Sequence, residues 1–206
     1  MIDDLARVTP RERVAAALEA LGEASASLGD GKYHAAVRHA TKAKELAPRD
    51  ATVRETLGLA AYRVGDWGKA LSELRAYRRM SGETTHIPIE MDVLRALKRP
   101  ADVEKMWVEL ERRGGRPGVQ KEGLVVYASH LIDAGDAERA LELTVPERTT
   151  GKVFPEDLRI WYVAARAAAL AGQPELAGRL RNAILEHDPS LPGIDDLEST
   201  LRRSGR

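Results

Sequence analysis

An all-α fold is predicted by two features of the sequence: a helix-turn-helix pattern that recurs along the chain, and a composition short of the residues that build sheets. The pattern is plainest in VGDWGKALSELRAYRRMSG, Val64 to Gly82, where Trp67, Ala70, Leu74 and Tyr77 follow a Gly65-Asp66 pair. Spacings of three and four put those side chains on one helical face, so the stretch reads as the second helix of a hairpin turned at Gly65-Asp66. The 206 residues include one Phe, three Trp and five Tyr, while Ala is abundant. A core of Ala and Leu in close contact suits packed helices better than strands of β-branched and aromatic residues.

Aligning the chain on that turn, and on the small residue five positions after its glycine, orders the elements. The first hairpin covers 11–48, with Leu21-Gly22, Ala36, Ala40 and Pro48 at matching places. Its Gly29-Asp30-Gly31-Lys32 stretch predicts a turn longer by about two residues. The second, 51–82, is the best formed: Leu57-Gly58 opens a close contact that Ala70 completes. The third, 83–115, carries Met91, Leu94, Val103, Trp107 and Leu110 on its apolar positions, but Arg99-Pro100 stands where Gly-Asp is expected. Pro88 predicts a late start and a short first helix, because proline suits the first turn and not the interior. RRGGRPG, Arg112 to Gly118, reads as a bend or hinge. The fourth hairpin, 119–147, has Ala128, Gly135-Asp136 and Ala140; the fifth, 156–189, has Trp161, Ala165, Gly172, Ala177, Ile184 and Pro189. A last amphipathic segment, 193–203, with Ile194, Leu197 and Leu201, acids at its start and Arg202-Arg203 at its end, predicts a capping helix. One repeat domain over 1–206 accounts for the chain and leaves no room for a separate catalytic domain.

Composition narrows the chemistry. Basic and acidic residues each number 32, so the electrostatic case for non-specific nucleic-acid binding is missing. The excess of Arg, 24 against 8 Lys, is the mark of a GC-rich, bacterial genome rather than of a charge-driven function. The absence of cysteine excludes disulfides, thiolate catalysis and Cys-ligated metals. His34, His39, His86, His130 and His187 are scattered and form no paired ligand spacing. Glu109 and Glu111 point to different faces, Asp133 and Asp136 belong to a helix end and its turn, and no Gly-x-Ser-x-Gly elbow occurs. A non-enzymatic protein with no cofactor and no metal is the expectation. MIDDLARVTPRERV lacks the basic start and apolar run of a signal peptide, and no apolar stretch reaches the roughly 20 residues of a membrane span. That predicts a cytoplasmic protein.

One charge feature stands out. From Lys32 to Arg79 there are 11 Lys and Arg against five Asp and Glu. Arg38 and Lys42 lie one turn apart on the second helix of the first hairpin, and Arg75 and Arg79 repeat the spacing on the next. Stacked hairpins would align them into a convex basic stripe, an alternative site for an acidic protein, a phosphate backbone or an anionic surface.

The hairpin pattern resembles the tetratricopeptide repeat (TPR), a helix-turn-helix unit of about 34 residues with the signature W-x2-L-G-x2-Y, a later A-x3-F and a closing P. Leu57-Gly58 match its Leu-Gly pair, Ala70 and Leu74 match A-x3-F, Trp161 matches the first-helix Trp, and Pro48 and Pro189 match the closing Pro. The resemblance covers most of the chain and implies a right-handed solenoid of hairpins whose first helices line a concave groove for a protein or peptide. It selects Glu55, Leu59, Tyr62 and Arg63, then Asp92 and Arg95, then Ser129 and Ile132, then Arg159, Tyr162 and Arg166. Tyr and Arg suit that task, since each couples contact area to directional polar groups, although Tyr62 and Tyr162 also suit packing between repeats. The chaperone-tail clamp seen in some members is disfavoured, because Glu19 and Glu23 would repel a carboxylate and Thr56 replaces the expected Asn. RNA reading by a helical-repeat array is disfavoured by zero net charge and scarce aromatics. Self-association through a terminal hairpin is a third reading.

Overall fold

The structure, a computed structural model, describes residues 2–204, and every regular element within them is an α-helix, twelve in all with no strand. In chain order they are α1 (Ile2–Val8), α2 (Arg11–Gly29), α3 (Tyr33–Leu46), α4 (Ala51–Arg63), α5 (Trp67–Ser81) and α6 (Ile87–Ala96), then α7 (Pro100–Arg113), α8 (Pro117–Asp133), α9 (Ala137–Thr144), α10 (Pro155–Leu170), α11 (Pro174–His187) and α12 (Ile194–Ser204). Helices α2 to α11 fall in the stretches assigned to hairpins, with α2 on α3, α4 on α5, α8 on α9 and α10 on α11 packed in pairs, and α12 falls in the last predicted segment. Of the basic pair expected at its end, Arg202 and Arg203, the side chains lie outside the described residues. The chain divides into two compact units, Met1–Arg99 and Pro100–Arg206, with the boundary in the chain between α6 and α7.

The turns explain the Gly-Asp signature. At the end of α4, Gly65 takes a left-handed φ of 76°. The amide of Asp66 then donates to the Ala61 carbonyl at 2.9 Å and that of Gly65 to Tyr62 at 3.1 Å, closing a Schellman motif that satisfies the last carbonyls of the helix. Asp66 next caps α5 by accepting from the Lys69 amide at 3.2 Å. The glycine reverses the chain and the aspartate starts the return helix. Gly135-Asp136 does the same between α8 and α9, with Asp136 accepting from the Arg139 amide at 3.2 Å.

The first turn departs from expectation. It is not lengthened: α2 runs through Gly29, Gly31 is the left-handed residue at φ 73°, and the Lys32 amide donates to Ser27 at 2.8 Å. Gly31-Lys32 therefore stands where Gly65-Asp66 stands, and Glu23-Ala24 rather than Leu21-Gly22 occupies the place of Leu57-Gly58. In the third turn Lys98 takes the left-handed conformation at φ 56°, and the Arg99 amide closes on Leu94 at 2.9 Å. With these registers, the residue seven before each left-handed position is Ala24, Gly58, Met91, Ala128 or Ala165, and the residue five after it is Ala36, Ala70, Val103, Ala140 or Ala177. All ten are buried.

In the first unit the expected alanine core is present: Ala24 and Ala40 pack with Leu57, and Ala17, Ala20, Ala43 and Ala47 with Leu21 and Val53. The second of these clusters also takes in Leu5 of α1, a helix with no counterpart in the predicted repeat. Among the described side chains of this seven-residue helix Leu5 alone is buried, which gives no periodicity to read. As predicted, α6 is short, ten residues with Pro88 in its first turn. In the second unit α10 packs on α8, α9, α11 and α12, and its Ala164, Ala165, Ala167 and Ala168 are fully buried. The predicted joint at 112–118 is mostly helix: α7 and α8 take up all but 114–116 and pack on each other, with Gly123 of α8 against Leu110 of α7. Proline at the first helical position lets α8 begin directly at Pro117, so a hinge reading has little chain left to act on.

Candidate functional site

The residues selected from the sequence gather at two places, one in each unit. In the first, α4 and α6 face each other through polar pairs. The Tyr62 hydroxyl donates to the Asp92 carboxylate at 2.7 Å, the Arg95 guanidinium donates to its other oxygen at 2.7 Å, and Glu55 lies 2.6 Å from His86 Nε2. His86 sits against the ring of Tyr77, with centroids 5.2 Å apart. Leu59 is half-buried, and the exposed Arg63 reaches the ring of Tyr33 at 5.4 Å. Tyr62, Asp92 and Arg95 thus complete one another and tie α4 to α6, while Glu55 ties α4 to His86 just ahead of α6. The Tyr62 hydroxyl thereby bridges α4 and α6.

In the second unit the same selection meets a cavity. Val125 and Ser129 of α8, Arg159, Tyr162 and Val163 of α10, and Leu191 and Pro192 ahead of α12 enclose about 440 Å³. The walls are mainly aliphatic. Ser129 donates its hydroxyl proton to the Val125 carbonyl at 2.7 Å, which leaves its oxygen lone pairs as the acceptor within the pocket. Burial pushes the Tyr162 phenol above its ordinary pKa; Arg166 opposes that shift, and Asp196 adds to it. The Arg166 guanidinium lies 6.0 Å from the Tyr162 ring. Arg159 pairs with Glu122 at 2.8 Å, and burial raises the Glu122 carboxyl even against that neighbour. Gly193, at φ 91°, lets the connection from α11 to α12 pass over Tyr162: a Cβ there would lie 2.7 Å from the phenolic oxygen. Ile132, selected with these residues, is buried and does not line the cavity.

The basic stripe is only partly available. Arg38, Lys42 and Arg79 are exposed, but Arg75 turns to Glu90 at 3.8 Å, alongside Arg78 at 2.9 Å. Glu90 is fully buried, and Glu73, 3% exposed, receives Lys44 at 2.6 Å and Arg54 at 2.7 Å. Two buried carboxylates therefore draw in four cations, of which Arg75 belongs to the expected stripe. Their signal was present: Glu90 shares a helical face with Ile87, Met91 and Leu94, and Glu73 adjoins Leu74.

A third polar group escaped notice. The Tyr127 hydroxyl donates to Glu104 at 2.7 Å and accepts from Arg139 at 3.2 Å, while His130 Nε2 lies 3.6 Å from Glu104. Trp107 stacks on the Tyr127 ring at 4.8 Å. Among the described residues no group of three His, Asp or Glu is placed to hold a metal ion, and no helix is long and apolar enough to cross a membrane. No family model matches the chain, and no curated protein matches it.

Proposed function

We propose that the chain is a TPR-like solenoid of five hairpins and a capping helix, and that it acts as a non-enzymatic scaffold gripping a protein or peptide on its first-helix face. The observation that carries this reading is the cavity built on two such helices, α8 and α10, by Ser129, Arg159 and Tyr162. It combines aliphatic walls with a few directional groups, the make-up of a recognition site. The recurrence of one turn and of two buried positions per hairpin supports the repeat architecture. A cytoplasmic location belongs to the same proposal. The basic stripe is the weaker alternative, since Arg75 is engaged by Glu90.

A display library of random peptides panned on the purified chain tests the proposal. Selected peptides should lose about tenfold or more in affinity with Tyr162→Ala and keep it with the triple variant Arg38→Glu, Lys42→Glu, Arg79→Glu. The reverse pattern would move the site to the second helices. A library that yields no binder to the folded chain would refute the scaffold.

A further inference from the structure

The cavity in the second unit also indicates what kind of segment fits it. Tyr162 sits between two cations on one face of α10, Arg159 one turn before it and Arg166 one turn after. Arg159 has a 53% exposed side chain and engages Glu122 through one guanidinium nitrogen, leaving donors for a second acceptor. Arg166 has no carboxylate partner among the described residues. The acids nearby are Glu122, already paired, Glu156 in the first turn of α10, which acts on Glu122, and Asp196 of α12. Beside this row lies the aliphatic cavity of about 440 Å³, within the range of about 300–1,000 Å³ in which pockets enclose small ligands, and so large enough for a Leu, Met or Phe side chain.

Resting on the peptide-binding reading, we infer that the cavity is an anchor subsite for one large apolar side chain, flanked in the same segment by two carboxylates that meet Arg159 and Arg166. Spacing follows from helix geometry. The two arginines are separated by about 10 Å along the α10 axis, which one turn of polyproline-II chain spans, rising about 9 Å over three residues and placing side chains i and i+3 on the same side. The segment is therefore acid-x-x-acid with the apolar residue at one of the inner positions. Its carboxylates come from side chains, so a free C-terminus is not required.

Fluorescence anisotropy with a labelled, C-terminally amidated peptide, Ser-Glu-Leu-Ser-Glu-Ser, and its partner with Leu in the other inner place, tests this on the full chain. Binding by at least one of the two is expected, weakened about tenfold or more when Leu becomes Ser, when both Glu become Gln, or when the pocket is filled by Val125→Trp. Arg166→Glu should abolish it, and a peptide with Lys in place of the matching Glu should restore it, which a misfolded variant could not do. If library-selected peptides of other composition bind through Tyr162 while these two do not, the anchor chemistry is wrong and the scaffold stands. If neither these nor any library peptide binds, both fall.

Discussion

Gly58 and Leu74 approach so closely that a Cβ on the glycine would lie 2.8 Å from the leucine side chain and 3.2 Å from its backbone nitrogen. The backbone nitrogen cannot rotate away, so any larger residue must push α4 and α5 apart. Gly58→Leu should destabilise the chain by about 1–3 kcal/mol. Gly178, in α11, has nothing within 4 Å of its Cβ position, so Gly178→Ala should stabilise by about 0.5–1 kcal/mol through helix propensity. Urea melts of the two variants should move in opposite directions; an unchanged midpoint for Gly58→Leu would contradict the contact.

Lys98 occupies the left-handed place that glycine fills at the other four hairpin turns. That conformation strains an L-residue with a Cβ. Lys98→Gly should raise stability by about 0.5–1 kcal/mol, read as a higher urea midpoint at unchanged slope.

Glu90 is fully buried and paired with Arg78 and Arg75. Glu90→Gln removes the anion and leaves its cations poorly compensated, with an expected cost of about 3 kcal/mol. Adding Arg78→Met should recover part of that loss, because the charge left behind is then absent. A double variant no more stable than Glu90→Gln would show that the pair is not what the single variant disturbs.

Tyr127 is pushed up to about 12 by burial, reinforced by its hydrogen bond to Glu104. Its neutral form is thus favoured by folding. The associated stability is complete below pH 10, the unfolded value, and is lost as pH rises through 12, because the unfolded chain releases this proton first. The loss should be roughly 2–3 kcal/mol, visible as falling urea midpoints across that window. Tyr127→Phe should flatten the decline and remove a component near pH 12 from the tyrosinate absorbance titration.

The all-α class was legible because two buried positions recur around a left-handed turn, small in four copies and filled by Met91 and Val103 in the other, so periodicity survives even where individual residues drift. Register was less legible. Gly29 and Gly31 both compete for the first turn in sequence, and only hydrogen bonding distinguishes the one with positive φ. Lys98 concealed the third turn because composition marks left-handed residues only when they are glycine. The candidate site was half legible. Ser129, Arg159 and Tyr162 could be placed from the first-helix register, but Leu191 and Pro192 come from a connection whose path depends on how α12 docks. Glu73 and Glu90 were unreadable as partners because their cations come from other helices.

Each hairpin turn rests on one residue of opposite hand, so what these positions share is stereochemistry rather than side-chain identity. At Gly135, φ 87°, an L-residue would find open space and still be strained. A D-amino acid there has the matching torsional preference, so a chain prepared by chemical ligation should tolerate a D-alanine where genetic encoding permits only glycine without penalty.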